Sequence, residues 1–316
     1  MIKKEFFHKK FSVGLCLNEP MQAITDFLEK NKIWLNSVYF SLPLGSRFYS
    51  REALAEEYEG NEGKLFKVLS LLSQLGIRRE AAVNTWNLSD GELDDAIAFC
   101  SKHELVPEEI VCLREYGKKL SEAFPDTEIK YSVNNPEPDG SGINHYFRTL
   151  VAGKGFLRDM DARYAFLNKG YHMTLLLNNG CLPICTTACD LVKCHRYFDY
   201  AINRYGLDAT FARCSFFPSE LGALVLSDPC ADQYKFKISN RPLGLSYTQQ
   251  VLDGYLSLED DYEAMKADPR KMALFCTVKP LAQHVREIDL ETVRKWKEQW
   301  KAEMQYGNHR ENRSDL

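Results

Sequence analysis

The sequence predicts an α/β protein whose mostly parallel strands close into a TIM-like (β/α)8 barrel. Two observations carry this. Short β-branched or leucine-rich runs alternate with helical stretches from Phe11 onward, and parallel neighbours need a crossover of a dozen or more residues, usually helical. Eight or nine such units in one chain favour a closed barrel over an open sheet. A doubly wound sheet is the alternative, but no glycine-rich phosphate loop follows any strand.

The elements follow in order. FSVGLC (Phe11 to Cys16) is a strand, MQAITDFLEKNK an amphipathic helix, and SVYFSLP (Ser37 to Pro43) a second strand. KLFKVLSLLSQLG has apolar residues at helical spacing and stops at Gly76; REAAVNTWN is β-like; DGELDDAIAFCSKH opens on an acidic N-cap. EEIVC, LREYGKKLSEAF and TEIKYSVNN read as strand, helix and strand. INHYFRTLVAGK is predicted helical, GFLRDM a weak strand and ARYAFLNKG a helix. A strand over Met173 to Leu177, the strand DATFARC, the helix PSELGALVLS, the strand YKFKISN (Tyr234 to Asn240) and the helical TQQVLDGYLSLEDDYEAMK follow. ALFCTVK adds a further strand. One of EEIVC, GFLRDM and ALFCTVK is then surplus to a barrel. The barrel domain is placed at residues 1–287, and a charged helix with a polar tail at 288–316.

Composition narrows the function. A chain of 316 residues, 45% of them hydrophobic, can fill a large core. A formal charge of -4 gives no global attraction to phosphate backbones. No apolar run approaches a membrane span, and the start MIKKEFFHKKFSVGL has no export-signal pattern, so a soluble cytoplasmic protein is expected. Ten cysteines in such a chain read as buried thiols or as a metal site rather than as disulfides. Cys100 and Cys112 belong with the buried thiols.

Cys181, Cys185 and Cys189 stand at four-residue steps after the Asn178-Asn179-Gly180 turn, where a strand gives way to a helical pattern. Thiols at a helix start lose protons readily, and thiolates bind iron and zinc. A fourth thiolate would complete a 4Fe-4S cluster or a structural zinc site. Cys214 closes the predicted strand DATFARC and is expected at the same mouth. Cys194 is a rival, about 7.5 Å of helical rise beyond Cys189. Cys230, just before YKFKISN, is expected at the opposite end of the barrel.

Active faces of parallel barrels lie at the C-terminal strand ends. Those ends supply Cys16, Ser41, Arg47, Asn84, Asn87, Asn134, Asn135, Arg158, Asp159, Asn178, Asn179, Arg213, Ser239, Asn240 and Arg241. Arg47 and Arg241 offer planar forks of donors for an anionic or carbonyl-rich group. Asn135, Asn179 and Lys237 complete the predicted substrate contacts, with Lys237 alternatively a salt-bridge partner in the barrel wall.

SVYFSLPLGSRFYSR, NNGCLPIC, CSFFPSEL and YKFKISNR, in this order, resemble the collagenase-like peptidase family U32 and its relatives. The resemblance spans roughly Phe11 to Leu243. It implies a TIM-like barrel and, from several relatives, a four-cysteine 4Fe-4S cluster with oxygen-independent hydroxylation of ubiquinone precursors or RNA bases. The chain departs from that pattern at Ser219-Glu220-Leu221 and at Ser239-Asn240 before Arg241. Three functions are therefore expected to compete: an iron-sulfur hydroxylase-like enzyme, a non-catalytic or electron-relay subunit of a heteromeric assembly, and a peptidase-like hydrolase. The substrate class, whether small molecule, peptide or RNA, stays open.

Overall fold

The structure is a computed structural model that describes residues 2–44, 47–48, 60–85, 88–135, 137, 140–153, 159–178, 218–239 and 244–258. Its strands, in chain order, are β1 (Phe11–Gly14), β2 (Leu35–Ser41), β3 (Pro43–Leu44), β4 (Arg47–Phe48), β5 (Arg78–Val83), β6 (Glu109–Cys112), β7 (Glu128–Tyr131), β8 (Thr149–Ala152), β9 (His172–Leu176) and β10 (Tyr234–Lys237). Eight of them close into a barrel in the order β1-β2-β5-β6-β7-β8-β9-β10, every neighbouring pair parallel. β3 and β4 form a separate antiparallel pair just beyond the C-terminal end of β2.

Helices α1 (Met21–Asn31), α2 (Glu62–Gln74), α3 (Asp90–Lys102), α4 (Gly117–Ala123), α5 (Met160–Leu167), α6 (Pro218–Ser227) and α7 (Gly244–Ser257) lie along the chain between or after the strands. Their ends follow local rules. Ser89, not an acidic residue, caps α3: its hydroxyl accepts from the Glu92 amide while the Glu92 carboxylate accepts from the Ser89 amide. Asp159 caps α5 through the Ala162 amide at 2.9 Å. α2 stops at Gly76, whose φ of +62° is the left-handed conformation that lets the Ile77 amide reach back to the Leu72 carbonyl.

Alternation along each strand sorts the residues to two sides. Phe11, Val38, Ala81, Ile110, Ile129 and Phe236 face outward into one continuous apolar core beneath the helices. The residues between them face the lumen, since side chains from β2, β5, β7 and β10 meet one another there.

One predicted element changes among the described residues. INHYFRTLVAGK was expected to be helical, yet its second half is β8, hydrogen-bonded between β7 and β9. Apolar residues at 143, 147 and 150 imitate a helical stripe, but the β-branched Thr149 and Val151 prefer a pleated ladder. Residues 155–158 of GFLRDM lie outside the described residues, and its last residue opens α5. DATFARC and ALFCTVK lie outside the described residues too, and β9 pairs directly with β10 over four residue pairs. EEIVC is a barrel strand. Residues 259–316, including the predicted charged helix, lie outside the described residues.

Candidate functional site

A lumen normally filled by branched apolar side chains here holds a charged cluster. Lys130, on β7, donates to Oε2 of Glu80 on β5 at 3.0 Å and to Oε2 of Glu109 on β6 at 2.5 Å. Lys237, at the end of β10, pairs with the other Glu80 oxygen, Oε1. Arg78 closes the N-terminal side with Nη1 at 2.9 Å from Oε1 of Glu109. The Lys237 ammonium lies 4.0 Å from the centre of the Tyr39 ring, and Tyr39 is fixed by its hydroxyl donating to the Ile238 carbonyl at 3.1 Å. Val111, Val133, Val151 and Leu176 form a small apolar cluster of their own on the remaining wall.

The four central groups titrate unlike free side chains. Burial alone would raise the Glu80 pKa, but the positive charges of Lys130 and Lys237 outweigh it and hold the carboxyl far below its usual range. Burial opposes the charge on Lys130, and Glu80, Glu109 and Glu128 overcome it, so its pKa is raised. Lys237 goes the other way. Burial lowers its pKa, and the pull of Glu80 does not offset that, with the positive charge of Lys130 lowering it further. Glu109 is raised, first by burial and further by the negative charge of Glu80, with Lys130 opposing.

The C-terminal mouth is tied together above this cluster. The Asn178 side chain accepts from the Ser239 amide at 2.6 Å and donates to the Ser239 carbonyl at 3.1 Å. The exits of β9 and β10 are thus locked side by side. Asn134 lies at the same face, its amide donating to the Ser132 hydroxyl at 3.2 Å.

Of the sequence-predicted substrate contacts, Asn135 is spent on the fold. Its Oδ1 accepts from the Arg114 amide at 2.7 Å and its Nδ2 donates to the Ser132 carbonyl at 2.9 Å, so it braces the loop after β7. Lys237 takes the salt-bridge alternative, inside the lumen. Arg47 is placed only by its backbone, in β4 opposite Leu44. Asn179, Arg241, Cys181, Cys185, Cys189, Cys194 and Cys214 lie outside the described residues. Cys230 sits at the N-terminal end of β10, capping the turn Ala231–Gln233, with its amide donating to Asp228 at 2.8 Å. The predicted strand DATFARC, which was expected to deliver Cys214 to the mouth, lies outside the described residues as well.

Cys16, Cys100, Cys112 and Cys230 lie apart, on separate elements. Burial pushes the Cys100 thiol up to about 12 and the Cys112 thiol higher still. Thiols so disfavoured as thiolates do not fit a cluster. Among the described residues no group of three His, Cys, Asp or Glu side chains is arranged to hold a metal ion, and no helix is long and apolar enough to cross a membrane.

Reading strand ends missed Glu80, Glu109 and Lys130. The available signal was charge inside short apolar strands, as in RREAAV, EIVC, EIKY and YKFK, because a charge buried there requires a partner across the lumen.

Strand order and lumen together define the class: a TIM-like (β/α)8 barrel with a charged interior. Comparison with protein-family models and with curated proteins gave no match. Among solved structures, the U32 peptidase Mk0906 is similar with a TM-score of 0.40 and 10% identity, over 73% of this chain and 93% of that chain. A likeness at that level carries no argument about activity, and the barrel rests on its own ladder.

Proposed function

We propose that the chain is an iron-sulfur protein that acts on a substrate at the C-terminal mouth of the barrel. One observation supports this above the others. The chain leaves β9 at the mouth through Asn178, which is locked to Ser239, and Cys181 follows three residues later with Cys185 and Cys189 at four-residue steps. These thiols, with Cys214 as fourth ligand ahead of Cys194 and Cys230, would hold a 4Fe-4S cluster; zinc is the alternative occupant. A bound cluster supplies electron transfer, consistent with an oxygen-independent oxidation or hydroxylation.

The chain's own residues do the rest. The Asn178–Ser239 lock fixes where the cysteine segment begins, and the charged lumen gives the mouth a floor that does not collapse. Arg47, Asn179 and Arg241 are proposed as substrate contacts, while Asn135 is assigned to bracing. Anaerobic purification tests the reading through the broad visible absorption of iron-bound thiolate. Wild-type protein should be coloured, Cys181→Ser and Cys185→Ser colourless, and Cys100→Ser unchanged. Colour retained in Cys181→Ser would overturn the ligand set.

A further inference from the structure

The lumen also holds an amine whose placement suits covalent chemistry. Lys237 is the last residue of β10, at the end of the barrel where parallel barrels work. Its side chain keeps 10% of its surface exposed, against 3% for Lys130, 2% for Glu109 and none for Glu80, so it is the member of the cluster that reaches the mouth. The two lysines differ in their partners. Lys130 is held between Glu80 and Glu109, whereas Lys237 shares Glu80 and has the Tyr39 ring as its other neighbour.

One hydroxyl flanks it. Ser12 stands opposite Lys237 on β1, while Thr174 lies two residues deeper, opposite Lys235 on β9. Both face the lumen, at 2% and 1% exposure, and neither hydroxyl has a hydrogen-bond partner among the described residues. A buried hydroxyl without a partner is unfavourable, and an oxygen bound beside Ser12 would satisfy that one.

We propose that Lys237 is a carbonyl-reactive amine, which takes a small aldehyde or ketone entering from the C-terminal mouth and holds it as an imine. A lysine is made nucleophilic by desolvation and by a neighbouring cation, and both are present here as burial and Lys130. Among the described residues, the charged and titratable groups facing Lys237 are Glu80 on β5, Glu109 on β6, Lys130 on β7 and Tyr39 on β2. The ammonium proton is lost to water at the mouth, and the neutral nitrogen attacks the carbonyl carbon. A C–N bond forms as the C=O π pair moves to oxygen, which takes a proton from the attacking nitrogen and sits by Ser12. Water at the mouth then returns a proton to the departing hydroxyl. Water leaves, and a protonated imine remains. No electron is gained or lost.

The inference stands apart from the iron-sulfur reading, and its test does not need a cluster. The intact chain is treated at neutral pH with propanal, and separately with pyruvate, in the presence of cyanoborohydride, and modified lysines are located by peptide mass mapping. Lys237 should be labelled faster than the exposed Lys3 and Lys4, gaining the mass of the carbonyl compound less one oxygen. Lys237→Arg keeps a cation for Glu80 and should remove that label. Labelling of Lys237 no faster than Lys3 and Lys4 with both probes would overturn the proposal.

Discussion

Lys130 and Glu80 face each other across the lumen at 3.0 Å, with their side chains 3% and 0% exposed. A buried ion pair adds little net stability, but removing one member strands the other. Glu80 is bonded to two lysines, so Glu80→Gln leaves both short of charge. We expect a loss of about 3–5 kcal/mol in denaturant unfolding. A loss below about 1 kcal/mol, the range of exposed pairs, would mean that water enters the lumen freely.

The same cluster sets a pH dependence. The folded Glu80 pKa is depressed, so its stabilisation is complete above the unfolded value of about 4.3 and is lost as pH falls from there through the folded value. Glu109 is shifted upward and acts in the opposite sense, gaining as pH falls. The difference in unfolding free energy between wild type and Glu80→Gln should therefore shrink on acidification below about pH 4.3. A difference independent of pH there would contradict an ionised Glu80.

Gly117 opens α4 directly against Phe147, and a Cβ built on it would lie 2.4 Å from the ring. Phe147 is buried and packs edge-on against Tyr131 of β7, so the ring has no free direction. Gly117→Ala should cost about 1–3 kcal/mol through overpacking, read as a fall in Tm. An unchanged or raised Tm would show that the helix shifts to make room.

Thiol alkylation checks the assignment of Cys100 and Cys112 to the core. Both are fully buried and held as protonated thiols, so they should resist iodoacetamide in the folded chain and react once it is unfolded. Labelling of either in the native protein at the rate of an exposed thiol would contradict their packing.

The barrel was legible in the sequence wherever strand and helix periods were clean, as at Arg78–Val83 and Asp90–Lys102. It was not legible at Thr149–Ala152, where short apolar spacing fits either period and the ladder with β7 and β9 decides. For the site, strand ends pointed to the Asn178–Ser239 face but passed over Glu80 and Lys130, which lie mid-strand, while Lys237 was read from within the run YKFKISN. Asn135 matched the pattern of a ligand contact, yet its carboxamide is consumed by neighbouring backbone.

Iron and acid-labile sulfide, quantified per chain after anaerobic purification, test the central claim most directly. The account predicts about four of each in the wild-type chain, and loss of both in Cys181→Ser with the fold intact by circular dichroism. Stoichiometric zinc without sulfide, or undiminished iron and sulfide in Cys181→Ser, would contradict it.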